Sequence, residues 1–190
     1  MNKREAVIVS TARTPIGRAY RGGFNATPAP TLAAHAIRAA VERAGVAPHE
    51  IEDVIMGTAL QQGCQATIGR NSALRAGLPV SVPGQSVDRQ CASGLMAIAM
   101  AAKQVIVDGM ATCVAGGVES ISLVQTEVLR IDQDPALATM VPAIYMPMLE
   151  TAEVVARRYG VSRQRMDAYS LESQRRTAAQ RTGPIRKVRP

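Results

Sequence analysis

Gly84-Gln85-Ser86-Val87-Asp88-Arg89-Gln90-Cys91-Ala92-Ser93-Gly94-Leu95-Met96-Ala97-Ile98 is the stretch on which the rest of the chain depends. Its first four residues read as a strand. Leu95 to Val107 is an apolar run that reads as a buried helix. Cys91 falls between them, at a strand-to-helix turn. The first amides of a helix have no internal partner and point outward. Their partial positive charge favours an anion nearby, here a thiolate. Ala92, Ser93 and Gly94 are small, so a bulky substrate can approach the sulfur. This pattern proposes an activated nucleophile at Cys91. The same local pattern also fits a buried cysteine acting as a small hydrophobe.

Upstream of this turn, Ala6-Val7-Ile8-Val9 reads as a buried strand that Pro15 and Gly17 end. Thr31 to Ala44 reads as an amphipathic helix capped by Thr31, with Leu32, Ala36, Ala40 and Ala44 along one side and Gly45 as its stop. Asp53 to Thr58 reads as a second strand, and Gln61 to Ile68 as a loop. Asn71 to Ala76 reads as a short helix stopped at Gly77. Downstream, the long helix closes at Asp108-Gly109, and Thr112 to Ala115 reads as a buried strand ending in Gly116-Gly117. There the absence of side chains lets a backbone or ligand come close. Strands and helices alternating at this spacing predict an α/β layered sheet with crossover helices.

After Ser122 the character changes. Leu123 to Pro147 has no clear period and reads as irregular. Thr151 to Tyr159 reads as a helix, and Ser162 as the cap of the next one.

Composition limits the alternatives. Hydrophobic residues make up 47% of the 190, enough for a core, while aromatics are only 3%, so alanine, valine, isoleucine, leucine and methionine must fill it. The formal charge of +7 is concentrated late, because no acid follows Glu172. A basic tail can serve nucleic acid, but this one has no interleaved aromatic to stack a base. The three cysteines, Cys64, Cys91 and Cys113, are odd in number and widely spaced. They fit a reducing compartment and make a metal site improbable. No uninterrupted apolar run reads as long enough to span a bilayer. The expectation is a soluble cytoplasmic chain that binds neither nucleic acid nor membrane. His35 and His49 read as surface residues.

Cys91-Ala92-Ser93-Gly94-Leu95, followed by Gly116-Gly117-Val118-Glu119-Ser120-Ile121-Ser122, resembles the acylated-cysteine region of the thiolases, the acetyl-CoA acetyltransferases and 3-ketoacyl-CoA thiolases. Arg13-Thr14-Pro15-Ile16-Gly17, Ala73 to Pro79 and Arg163 to Ser170 resemble the family too. The resemblance runs from about Ala6 to Gln180. It implies the N-terminal half of a thiolase-like layered fold, with a mixed sheet and crossover helices, truncated. Residues 1–122 would be the α/β core, 123–181 a partial lid subdomain, and 182–190 an aberrant basic tail.

The resemblance further implies an acyl-CoA acyltransferase that works through an acyl-cysteine at Cys91, in a setting such as fatty acid metabolism. Met148 would line the coenzyme A pocket, and Gly116, Gly117 and Ser120 would shape the floor of the site. Acyl-CoA would be substrate, with no permanently bound cofactor, and the intact family forms dimers or tetramers. Pro147 and Leu149 stand where the family often has histidine and glycine. The family's Gly-His-Pro histidine and its second reactive cysteine have no counterpart in the 190 residues. The expectation is slow acylation of Cys91 without full turnover, and a chain that in isolation is poorly soluble or needs a partner, with a shifted reading frame as one source of the tail. The alternatives are a β-ketoacyl synthase-like enzyme and a non-catalytic half that docks on an intact thiolase subunit.

Overall fold

The central strand of the structure, a computed structural model that describes residues 4–129 and 133–182, is β1, Asp53–Gly57. All five of its residues are buried. β2, Gly84–Val87, and β3, Cys113–Gly117, flank it in the order β2-β1-β3. Both pairings are parallel: Gly57 lies opposite Val87 on one side and Gly117 on the other. Parallel neighbours need crossovers. They are α2, Ile68–Ala76, between β1 and β2, and α3, Ser93–Lys103, between β2 and β3.

Side chains alternate across β1, as a pleated strand dictates. Val54 and Met56 join the larger core cluster beneath α2 and α1, Ala29–Ala44. Ile55 points the other way, against Ala97 and Ala101 of α3. Helices thus cover both faces, the usual condition of a parallel sheet.

Four readings of the sequence change here. Residues 6–9 form no strand, and Val7, Ile8 and Val9 are 75%, 74% and 70% exposed. Hydropathy reports a wish for burial, but a strand needs a ladder partner; among the described strands none pairs with this segment. It is tied down instead by side chains: the Arg43 guanidinium donates to the Thr11 carbonyl at 3.0 Å, and Arg4 to the Met110 carbonyl at 2.6 Å.

The buried stripe of α1 is Ala29, Ala33, Ala34, Ile37 and Val41, not the row Leu32, Ala36, Ala40 and Ala44. Alanines occur all round this helix, so the two larger apolar groups set its orientation. Its start is also earlier than Thr31, because Pro28 and Pro30 supply the extended entry and the pre-set φ of a first turn. Gly45 ends it in the left-handed conformation, as the sequence predicts.

The helix after Cys91 is only half covered. Its buried residues are Ser93, Ala97 and Ala101, whereas Leu95 and Val107 are 72% and 77% exposed. A π-helical turn at Gln104–Asp108 prolongs it. By length and composition Gln90–Asp108, at mean hydropathy 1.4, is apolar enough to cross a membrane, which corrects the reading that no run is long enough. Its alanines nevertheless pack on β1 and β3, as in a sheet-covering helix.

The fourth change concerns the irregular stretch after Ser122. It holds α4, Ile121–Val124, and α5, Pro135–Met140. The Asp134 carboxylate caps α5 by accepting from the amides of Ala136 and Leu137, and Pro135 takes the first turn. The chain divides into two compact units, 1–130 and 131–190. The second holds α5, α6, Met148–Arg158, and α7, Arg163–Thr182, with Gly160 in the left-handed conformation between the last two. Ser162 accepts from the Arg165 amide, as a helix cap does. The basic tail read at 182–190 lies, from residue 183 on, outside the described residues.

Candidate active site

The chain leaves β2 at Val87 and enters α3 at Ser93, and Cys91 lies between, exposed to solvent. Six hydrogen bonds fix this short passage. The Asp88 carboxylate accepts from the Gln90 amide at 2.8 Å. The Ser93 hydroxyl accepts from the Arg89 amide at 2.9 Å and donates to the Gln90 carbonyl at 2.5 Å. The Ala92 amide reaches the Arg89 carbonyl at 3.1 Å, and the Ser93 amide the Gln90 carbonyl at 3.0 Å. The Met96 amide then bonds the Ala92 carbonyl at 2.9 Å, beginning the helix. Gln90 carries a positive φ of 49°, unusual for a residue with a side chain. The residue before the sulfur is therefore held in a strained turn, and its neighbours hold it there.

Ser93 is 3% exposed, and its two hydroxyl bonds, to the backbone of the exposed Arg89 and Gln90, are partly buried. Ser93→Ala should cost about 1 kcal/mol, because the Arg89 amide loses its acceptor while the Gln90 carbonyl keeps the Ser93 amide. Urea unfolding of the two chains checks this.

The start of α3 rests on bare backbone. A Cβ built on Gly57, the last residue of β1, would lie 2.3 Å from the Ser93 carbonyl carbon and oxygen. One built on Gly117, the last residue of β3, would lie 2.9 Å from Gly94 Cα. The three glycines let a helix end approach two strand ends with no side chain between them. Cys91 thus follows the carboxyl ends of parallel strands, where α/β sheets place their ligand sites.

The model of the thiolase N-terminal domain matches residues 6–187. The chain belongs to the thiolase family. It is 40% identical to the 3-ketoacyl-CoA thiolase of Bacillus subtilis (strain 168), covering 92% of this chain and 45% of that protein. It is 39% identical to the beta-ketoadipyl-CoA thiolase of Acinetobacter baylyi, over 93% of this chain and 48% of that one. The crystal structure of the Bacillus anthracis acetyl-CoA acetyltransferase superposes with a TM-score of 0.75 at 32% identity, covering 89% of this chain and 45% of that one. The chain spans about half the length of these relatives.

Within this thiolase domain the remaining sequence-predicted residues fall in different places. Gly117 touches the start of α3, and Gly116 sits one residue back in β3, nearest the Met56 thioether. Ser120 is 6% exposed and turned inward: its hydroxyl donates to the Thr27 carbonyl at 3.1 Å and its amide to Gln65 Oε1 at 2.5 Å. Met148 begins α6 in the other unit and is 71% exposed. With Thr151, Ala152, Val155, Ala156, Val161 and Met166 it lines an apolar cleft of about 420 Å³. His35 and His49 are both exposed.

Cys113 of β3 is half-buried and packs against the core cluster of Ile55, Ala97 and Ala101. Its thiol lies 3.7 Å from Gln104 Oε1 and 3.6 Å from Met110 Sδ. Burial, then the Asp53 and Glu52 carboxylates, push it from 9.0 up to about 11. A thiol raised in the folded state stays neutral, and any stability tied to it is full below pH 9.0 and lost as pH climbs towards 11. At pH 8 its alkylation by iodoacetamide should be on the order of 100-fold slower than that of an ordinary cysteine. Peptide mass spectrometry across a time course measures it, and modification of Cys113 as fast as a model thiol would contradict the assignment.

Sequence reasoning missed the Ser93 clamp, the role of Gly57, and a buried polar group formed by Thr58, Gln65 and Glu119. Gln65 lies in the stretch read as loop, yet it is fully buried in a 3-10 turn. A polar side chain that gives up water needs partners, and Gln65 finds them on Thr58, Leu60, Glu119 and Ser120.

Proposed function

We propose that this chain is the acyl-accepting half of a thiolase-type acyltransferase, with Cys91 as nucleophile. The observation that carries the reading is the family match together with an exposed cysteine set in a clamped strand-to-helix turn. The Cys91 sulfur attacks the thioester carbonyl of an acyl-CoA. The bond between that carbonyl and the coenzyme A sulfur breaks. The acyl group stays on Cys91, and coenzyme A leaves carrying the proton that Cys91 lost.

The turn contributes in two ways. It sets Cys91 two residues before the start of α3, the helix end that favours negative charge. It also fixes the sulfur's direction of approach before substrate arrives. Gly116, Gly117 and Ser120 shape the floor behind the sulfur, and the apolar cleft that Met148 lines within the second unit has the chemistry to take a pantetheine arm. Acyl-CoA is substrate, with no resident cofactor. The setting is cytoplasmic acyl-CoA metabolism such as fatty acid turnover, and the working assembly is a homo-oligomer.

Single-turnover release of coenzyme A tests this reading. Mixing the chain with excess acetyl-CoA should liberate about one free thiol per chain and add the mass of one acetyl group. No thiol release above the hydrolysis blank would overturn it. A second reading, a non-catalytic half that docks on an intact thiolase subunit, draws support from the exposed row Leu95, Ile98, Ile106 and Val107. Co-purification with a full-length thiolase together with an inert Cys91 would favour it.

A further inference from the structure

Glu119 belongs to the segment that follows β3. Its carboxylate accepts from the Thr58 hydroxyl at 2.9 Å, from the Ala59 amide at 2.8 Å and from the Gln65 side-chain amide. Thr58 and Gln65 are 1% and 0% exposed. The Thr58 hydroxyl uses both its roles, since it also accepts from Gln65 Nε2 at 2.9 Å. No cation closes on Glu119 among the described ion pairs, and these three hydrogen bonds compensate its charge.

The backbone of Thr58 links this group to the nucleophile turn. Its amide donates to the Val87 carbonyl at 3.0 Å, the last rung between β1 and β2 before the chain turns towards Cys91. Gly57, just before it, is the residue against which Ser93 and Gly94 pack. The Gly57 carbonyl in turn accepts from the Val118 amide at 3.0 Å, one residue before Glu119. A shift of Thr58 therefore moves both ends of the turn together, its entry at Val87 and its exit at Ser93.

We propose that Glu119, acting through the Thr58 hydroxyl, is a positioning residue that fixes the direction in which Cys91 presents its sulfur. The inference rests on Cys91 being the acyl acceptor. The carboxylate and the hydroxyl hold the end of β1 on the end of β3, and that joint is the platform under the start of α3. A buried network in which every member is satisfied is rigid, and removing one member leaves the others without partners.

The test uses the full chain and three variants: Thr58→Val, which keeps shape and loses the hydroxyl, Thr58→Ser, which keeps the hydroxyl, and Glu119→Gln, which puts an amide where the Ala59 amide needs an acceptor. Acylation of Cys91 at saturating acetyl-CoA should fall on the order of 100-fold in Thr58→Val and Glu119→Gln, the usual cost of misplacing a reacting group by about 1 Å. Thr58→Ser should stay within about threefold of the parent, because it retains both bonds. Thermal unfolding establishes that each variant is folded at the assay temperature.

Amide hydrogen exchange of the peptide spanning 88–94 reads the positioning without any chemistry. It should quicken about tenfold or more in Thr58→Val and Glu119→Gln but not in Thr58→Ser. If Thr58→Val acylates and exchanges like the parent, or if Thr58→Ser fails as badly as Thr58→Val, the positioning role is overturned. If the parent itself is not acylated while the exchange pattern holds, Cys91 is not the acyl acceptor, yet the mechanical link from Glu119 to the turn stands.

Discussion

Cys91→Ser should abolish thiol release from acetyl-CoA, with a fall of about 10³-fold or more. A hydroxyl keeps its proton near neutral pH far more firmly than a thiol does, and a neutral hydroxyl attacks a thioester poorly. Nothing else at the turn can take its place, since Ala92 and Gly94 offer no nucleophile and the Ser93 hydroxyl is spent on Arg89 and Gln90. Because Cys91 is exposed, the substitution should leave stability within about 0.5 kcal/mol of the parent. Thiol titration beside a urea unfolding curve separates loss of chemistry from loss of fold. Full activity in Cys91→Ser would move the nucleophile elsewhere.

Gly57→Ala should be among the most damaging single methyl groups that can be added to the first unit, and it strikes the start of α3. The new carbon would meet the Ser93 carbonyl carbon and oxygen at 2.3 Å and the Gly94 nitrogen at 2.6 Å. These are backbone atoms at the start of a helix, so no side chain can swing aside. Either α3 lifts from the sheet or the end of β1 bends, and overpacking of this kind costs about 3 kcal/mol or more. The displaced helix start carries the nucleophile turn with it, so acylation should fall along with stability. Gly45→Ala is the control: no atom would lie within 4 Å of its new carbon, and only the left-handed backbone is penalised, by about 1 kcal/mol. Denaturant midpoints of the two variants should differ accordingly; equal midpoints would mean that the glycine contact does not support the helix.

Much of this was legible in the chain. Alternating runs at Asp53, Gly84 and Cys113 with helical stretches between them pointed to a layered α/β sheet with crossover helices, and the described strands, expected as a mixed sheet, all pair in parallel. Gly45 and Gly77 marked the helix ends, since only glycine enters the left-handed region freely. The turn at Cys91 could be located from the change of period alone.

What escaped was whatever depends on contacts between distant segments. Val7, Ile8 and Val9 are as apolar as any strand, but composition does not say whether a ladder partner exists. Leu95 and Val107 carry the hydropathy of core residues and yet face outward, because the helix packs through Ala97 and Ala101. Gln65 looked like a loop residue, as its burial depends on Glu119, 54 positions away. The Ser93 clamp was hidden for another reason: a serine after a helix cap is ordinary, and only the φ of Gln90 shows what it restrains.

The account stands most directly on where an acetyl group goes. The full chain is incubated with acetyl-CoA, quenched in acid, digested and sequenced by tandem mass spectrometry. The peptide containing Cys91 should carry the acetyl group, bound as a hydroxylamine-labile thioester, with Cys64 and Cys113 unmodified. An acetyl group on Cys64, on Cys113 or on lysine alone, with Cys91 free, would contradict the account.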